Sequence, residues 1–393
     1  MTAPTPVYLD NAATTRLDPE VLDAMLPLMT EQFGNPSSIH SHGRAVRTAI
    51  EKARKAVASL LNTSPAEIFF TSGGTEADNT AIRSSIETYG ITHAITSPLE
   101  HHAVLHTLEH MARQGQVQLS MVEVDSMGHV DLAHLEELLR SSRSVGAAPS
   151  FVSLMHGNNE IGNLLDLHQV GALCRQHDAI FHSDTVQTMG HFRHDLQQLP
   201  VDFIVGAGHK FHGPKGVGFL YVNAERANIH PFIYGGAQER NRRGGTENVY
   251  GIVGLAKALE IAYRDMDAHR AHITALKTRM IDQLRAKMPD VRFNGDSANV
   301  DNSLYTVLNV SLPASELSDM LLFSLDIARI SASGGSACSS GSNIGSHVLS
   351  ALPDLDQDRG YVRFSFGKYN TAEEIDYAVD TLVGLYQKEA KLV

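Results

Sequence analysis

Between about residue 45 and residue 225 the chain alternates two hydrophobic rhythms, and that alternation restricts the fold more than any other feature. Val46, Ala49, Ile50, Ala53, Val57, Leu60 and Leu61 recur at helical spacing. Short apolar runs follow at residues 68–70, 93–96, 151–155, 180–182 and 203–205, most of them separated by helical stretches. Strands that alternate with helices in this way predict a mostly parallel sheet with helices on both faces.

The rhythm changes after residue 250. One helical pattern runs over 250–288, with Ile273, Leu276, Met280 and Leu284 on one face. A polar loop, NGDSANVDNS, follows it. Then come a strand in VLNVSL, a helix in SELSDMLLFSLDIA, a small-residue loop around Cys338, a strand in YVRFSF and a last helix. That helix opens with Thr371 and Glu374 at the spacing of a capping box. A smaller α+β domain is expected here, with the long helix as its link to the first domain and a boundary near residue 262.

The 393 residues are enough for two such domains, and at 42% hydrophobic content a core needs no disulfide or metal staple. Lys and Arg number 32 against 44 Asp and Glu, a net −12 that argues against non-specific nucleic-acid or anionic-membrane binding. Two cysteines, Cys174 and Cys338, make neither a disulfide framework nor a zinc module and suit a reducing compartment. The N-terminal MTAPTPVYLDNAATTR has no basic segment followed by an apolar one, and no apolar run reaches the roughly 20 residues that span a bilayer. A cytoplasmic protein is expected.

Ligands of open parallel sheets bind at the carboxyl ends of strands, so the residues that follow each strand matter most. After residues 68–70 comes TSGGTEADN, where Gly73, Gly74 and Thr75 would open a helix whose N–H groups favour a phosphate. A capped glycine turn reads equally well. After 151–155 comes HGNNEIG, whose asparagines bind a ligand or brace a turn. After 180–182 comes Asp184, which caps the next helix or holds a cationic ring nitrogen, since an unpaired buried carboxylate is costly. After 203–205 comes GAGHKFHGPKGVGF, a glycine-rich segment in which Lys210 is either a solvated loop residue or closely approached by a ligand. A phosphate site, an acid and a lysine at neighbouring strand ends are the set that pyridoxal 5'-phosphate requires. Its phosphate needs N–H donors, its ring nitrogen a carboxylate, and its aldehyde a lysine for a Schiff base.

The segments YLDNAATT, FGNPSS, FTSGGTEADN, EHHAV, NNEIG, HSDTVQ, GHKFHGPKG, RRGGTEN, GGSACSSG and VRFSFG occur in this order from residue 8 to 367. In them the chain resembles the class V aminotransferase family, and within it the cysteine desulfurases that feed iron–sulfur cluster assembly. The resemblance implies an α/β fold of the pyridoxal-phosphate-dependent transferase type (fold type I). It implies a large cofactor-binding domain over 15–262 and a small domain over 263–393 with segment 1–14, carrying the Cys338 loop. It implies that Lys210 forms the Schiff base and moves the substrate's Cα proton. Asp184 pairs with the ring nitrogen, Gln187 with the phenolic oxygen, and His101 stacks on the ring and takes part in proton transfer. Gly74, Thr75 and His209 hold the phosphate, and Thr246 reaches the phosphate of the other subunit of a homodimer. Asn159 and Arg363 hold the substrate, Arg363 through its carboxylate. Cys338 takes the sulfur of L-cysteine as a persulfide, leaving L-alanine, and passes it to an acceptor protein such as an iron–sulfur scaffold or a thiolation enzyme. Neither a membrane nor direct nucleic-acid contact is implied.

Alternation in VRFSF places Arg363 opposite the apolar Val362, Phe364 and Phe366, where its fork suits a carboxylate. One position departs from the family. Ala207 stands where relatives commonly carry a serine whose hydroxyl contacts the phosphate. An aminotransferase or a selenocysteine lyase of the same fold are the alternatives, and Cys338 argues against the first. His102, His106 and His110, four apart, read as a solvated helix face rather than a metal site, and no metal is expected. Residues 208–216 fail the phosphate-loop pattern because Pro214 intervenes before Lys215 and Gly216 follows it. In VGALCRQH, Cys174 reads as a packed small side chain.

Overall fold

A computed structural model describes residues 6–141, 148–316, 318–334 and 345–389. Its strands in chain order are Val7–Tyr8 (β1), Ile68–Thr71 (β2), His93–Thr96 (β3), Gln118–Met121 (β4), Phe151–Ser153 (β5), Ile180–Ser183 (β6), Phe203–Ala207 (β7), Gly218–Val222 (β8), Arg292–Phe293 (β9), Val307–Leu312 (β10), Ile330–Ser331 (β11) and Gly360–Ser365 (β12). Seven of them form one sheet in the order β2-β8-β7-β6-β5-β3-β4. The run from β7 to β4 is parallel, and β8 lies antiparallel between β2 and β7. The expected mostly parallel sheet is therefore present.

Two strands escape the hydrophobic rhythm. In β4 the sequence QLSM lies at a half-exposed edge and carries little apolar signal. β8 sits at the tail of the glycine-rich segment after Lys210. There, a Cβ on Gly218 would lie 2.6 Å from the Gly206 carbonyl oxygen and 2.7 Å from the Gly73 carbonyl carbon. Only glycine lets that strand enter between its neighbours.

Both faces of the sheet are covered, so consecutive strand residues go to different cores. Ile68, Phe70, Val152, Phe181 and Ile204 face one cluster with helices Ser41–Leu60 and Val249–Arg264. Phe69, Phe151, Ile180, Phe203 and Val205 face another, formed with helices Gly74–Tyr89 and His102–Arg113. A separate core joins β10 and β12 to helices Met266–Lys287 and Ala372–Glu389, and Val7 and Leu9 belong to it. The sheet β12-β10-β9 is antiparallel, and β1 pairs in parallel with β11.

The helical pattern over 250–288 is two helices. It breaks at Asp265 (φ −107°, ψ 13°), between Val249–Arg264 and Met266–Lys287. Neither Pro nor Gly marks the break, but Arg264 turns there to bind both Asp265 (2.7 Å) and Glu20 (2.9 Å). Ile273, Leu276, Met280 and Leu284 are all buried, as their spacing predicts. Thr371 and Glu374 make the reciprocal capping bonds at 3.1 and 3.3 Å.

Candidate active site

The strand ends of the large sheet open into a cavity of ≈180 Å³. Gly74, Thr75, Asp184, His209 and Lys210 line it from the sheet side, and His101, Asn159, Gln187 and Arg363 complete it. Nine residues drawn from segments as distant as 74 and 363 thus meet at one place.

Each is positioned by a local feature. Helix Gly74–Tyr89 starts directly after β2, so its first N–H groups, which lack intrahelical partners, point at the cavity. A Cβ on Gly74 would lie 2.7 Å from Val186 Cγ2 and 3.7 Å from Ala207 Cβ, which makes this backbone the floor of a close cradle. Ala207 ends β7, is buried and faces the cavity with a methyl group. Asp184 follows β6, and its Oδ1 accepts from Val186 N at 2.9 Å. Burial raises the pKa of Asp184, while that bond and the nearby Lys210 ammonium oppose the rise. A cation placed against Asp184 would complete the site.

Lys210 lies in the short turn after β7 and donates to the carbonyls of Ala12 (2.5 Å) and Ala13 (3.0 Å). Gln187 Nε2 donates to the same Ala12 carbonyl at 3.0 Å. The N-terminal YLDNAATT is therefore a wall of the cavity. His209 Nδ1 lies 3.2 Å from Thr14 Oγ1. Burial, with Lys210 and Lys215 adding to it, lowers the pKa of His209 to about 4.

His101 caps helix His102–Arg113, and its Nδ1 accepts the Ala103 N–H at 3.1 Å. An accepting Nδ1 carries no proton, so the neutral ring holds its proton on Nε2. Burial first, then Lys210, lowers the pKa of His101 to about 4 and keeps the ring neutral. The adjacent asparagines divide their tasks. Asn158 Oδ1 accepts from Glu160 N (2.8 Å) and Ile161 N (3.0 Å) and braces the turn, while Asn159 lines the cavity.

Arg363 sits on β12 between Val362 and Phe364, which face the smaller core. It is 1% exposed, yet its head reaches the cavity. Its Nη2 donates to Asp10 Oδ1 at 2.8 Å and its Nη1 to the Asn159 carbonyl at 3.0 Å, and Nε has no hydrogen-bond partner. Sequence reasoning assigned no role to Asp10, although it stands within the recognised YLDNAATT. Asp78, also on the lining, was missed because it reads as an ordinary helix residue.

One expected site residue is elsewhere, and another is not described. Thr246 lies in a separate cavity of ≈90 Å³ with Glu239, Arg243 and Glu247. Cys338 lies outside the described residues. The chain on either side of its segment meets the rim of the cavity. Ser333 pairs with the Arg363 backbone, N–H to carbonyl, at 3.2 and 2.6 Å. His347 Nε2 lies 2.9 Å from the Glu100 carbonyl, and its ring is 4.3 Å from that of His102. His102 and His106 stack at 4.4 Å with an 8° interplanar angle, a face-to-face contact rather than convergent ligation. Among the described residues no group of three or more His, Cys, Asp or Glu is placed to hold a metal ion. Cys174 is buried in the large core, where burial raises its thiol pKa.

The donor set fits pyridoxal phosphate: an open helix N-terminus, a buried acid, a neutral aromatic ring and a lysine face one cavity. Among the described residues no helix is long and apolar enough to cross a membrane.

Residues 7–378 match the aminotransferase class-V family. The cysteine desulfurase IscS of Dictyoglomus turgidum is 42% identical over 386 residues, covering 97% of this chain and 95% of that protein. The cysteine desulfurase IscS of Methanosarcina thermophila is 40% identical over 391 residues, covering 97% and 92%. Among solved structures, a NifS-like protein superposes with a TM-score of 0.87 at 36% identity, covering 98% of this chain and all of that one. The structure of SspA in complex with cysteine superposes with a TM-score of 0.78 at 30% identity, covering 93% of this chain.

Proposed function

The chain belongs to the aminotransferase class-V family, and from that premise we propose that it is a cysteine desulfurase, converting L-cysteine to L-alanine and a protein-bound persulfide. The observation that carries this reading is the meeting of Lys210, Asp184, His101 and Arg363 around one cavity whose floor is a helix N-terminus.

Pyridoxal phosphate, when bound, supplies an electron sink for charge developing at the substrate's Cα. Gly74, Thr75 and His209 would hold its phosphate, Asp184 its ring nitrogen and Gln187 its phenolic oxygen. Ala207 contributes no hydroxyl to that phosphate. Lys210, parked on the Ala12 and Ala13 carbonyls, would hold the aldehyde and would move the substrate's Cα proton. Arg363 takes the substrate carboxylate with its remaining guanidinium hydrogens, and Asn159 borders the same subsite. His101 presents an N–H at Nε2 and so acts on the ring side as a donor.

Cys338 is the sulfur acceptor in this account. Its position in the chain supports the role. Ser333 is pinned beside Arg363, and five residues of extended chain (338 − 333) reach roughly 17 Å. The thiolate attacks the substrate sulfur, the Cβ–S bond breaks, and its electron pair goes to the substrate carbon skeleton, which is protonated to alanine. A free thiol near pKa about 8.5 is only a few per cent thiolate at neutral pH, so a cation such as Lys210 beside it would favour the attacking form. We further propose a homodimer in which Thr246 reaches the partner's cofactor phosphate, and a protein acceptor that relieves Cys338 of its sulfur.

Incubation of the cofactor-loaded protein with L-cysteine and a reductant tests the reading. Alanine and sulfide in equal amounts are expected. A keto acid without sulfide would make the protein a transaminase instead.

A further inference from the structure

One wall of the cavity carries a polar group that the reaction as described does not use. Asp78 is on the inward face of helix Gly74–Tyr89, one turn after Gly74, and is 1% exposed. His182 and Asp184 are two apart at the end of β6, so their side chains leave the strand on the same face, toward that helix. His182 is fully buried, and its Nε2 lies 3.3 Å from Asp78 Oδ1. Neither atom has a hydrogen-bond partner, so the 3.3 Å approach is a contact without hydrogen-bond geometry. On its other side His182 Nδ1 is 2.8 Å from Ser153 Oγ, at the end of β5.

The site thus holds two carboxylates, Asp78 and Asp184, in one desolvated space. Glu100, from the loop after β3, adds a third acid nearby, and the facing cations are Lys210 and, if charged, His101. Two carboxylates in one desolvated space resist ionising together unless each has a cation. Lys210 acts on Asp184, not on Asp78. Burial, with repulsion from Asp184 and Glu100, raises the pKa of Asp78 well above the usual carboxylate range. Burial lowers that of His182 to about 3, so the imidazole does not supply the missing charge.

We propose that Asp78 is a positioning residue that remains protonated beside a neutral His182, leaving Asp184 as the single carboxylate anion beneath the cofactor ring nitrogen. The inference rests on the reading of Asp184 as the partner of that nitrogen. An ionised Asp78 would share the attraction for the one ring cation and draw it off Asp184. As an acid it fills the space beside His182, which Ser153 holds from the other side, and adds no charge.

Infrared difference spectroscopy at pH 7 tests this on the full-length protein, with and without cofactor. Asp78→Asn should lose the C=O stretch of a protonated carboxyl and leave the carboxylate bands unchanged. Its affinity for pyridoxal phosphate, by absorbance titration, should stay within about threefold, whereas Asp184→Asn should lose about tenfold or more. Loss of a carboxylate band in Asp78→Asn overturns the proposal, as does loss of the protonated band in Asp184→Asn but not in Asp78→Asn. Unchanged cofactor affinity in Asp184→Asn would instead overturn the reading on which the proposal rests. If Asp78→Asn does not fold, carbon NMR of wild-type protein labelled at the aspartate carboxyls replaces it. One aspartate still protonated at pH 7 is expected, and none would be decisive against.

Discussion

Asp10→Asn separates the two tasks of Arg363. In the structure Arg363 Nη2 is bound to Asp10 Oδ1 at 2.8 Å while the guanidinium is 1% exposed. Asp10 therefore does what a buried arginine requires, which is to neutralise it. If the same guanidinium receives a substrate carboxylate, two anions share it, on the order of 6 Å apart. At an effective dielectric near 20 their repulsion is about 2–3 kcal/mol, an upper bound for a site open to water. Removing the Asp10 charge while keeping its shape should therefore lower the KM for L-cysteine by about tenfold. The same change weakens a charged hydrogen bond, so stability should fall by about 1–2 kcal/mol. The two effects have opposite signs, which a general loss of structure cannot mimic. Steady-state kinetics and denaturant unfolding of the same preparation measure both. A lower stability with an unchanged or higher KM would refute the assignment of Arg363 to the substrate carboxylate.

Three further outcomes follow from the same geometry. Lys210→Ala should abolish the visible absorbance of the loaded protein and its fixation by borohydride, checked by spectroscopy, because no other described lysine lines the cavity. Glu239→Gln should cost about 3–5 kcal/mol in denaturant unfolding, since it breaks a buried pair with Arg54 (2.7 Å) and weakens the bond from Phe70 N (2.9 Å) that hold Glu239, Arg240 and Asn241 in left-handed backbone. Stability should also fall as pH drops from about 6.5 toward 4. Burial holds His101, His191, His194 and His209 near 4 and His156, His182 and His212 near 3, so below 6.5 the unfolded chain binds protons that the folded one refuses. Thermal unfolding between pH 7 and pH 5 checks the sign.

Periodicity was enough for the elements with strong apolar patterns. Phe203–Ala207 is buried on both faces and carries no polar side chain, while Ile180–Ser183, equally buried, opens on Ile180 and Phe181 before His182 and Ser183. Gln118–Met121 is a half-exposed edge and Gly218–Val222 follows a glycine run, so neither stands out. The helical pattern breaks at Asp265 without a helix breaker, where Arg264 pairs with Asp265 and with Glu20, 244 positions away (264 − 20) and invisible to any local window. The chemistry followed a similar division. Lys210, Asp184 and Gly74 are legible because strand ends carry ligand groups. Arg363 needed the alternation of VRFSF to turn it from the core. Asp10, Ala12 and Ala13 became site residues only when the N-terminal segment was seen folded across the cavity, a contact set by β1 pairing with β11. The partition between Asn158 and Asn159 likewise depends on which side chain the turn consumes.

The central claim is that this cavity delivers cysteine sulfur to Cys338. The most direct measurement is mass spectrometry of the protein after brief exposure of the cofactor-loaded enzyme to L-cysteine without reductant. The account predicts one added sulfur atom on the peptide that carries Cys338, alanine in solution, and neither in appreciable amount for Cys338→Ser, which should still bind the cofactor and the substrate. Full desulfurase turnover by Cys338→Ser, or the added sulfur on Cys174, would contradict it.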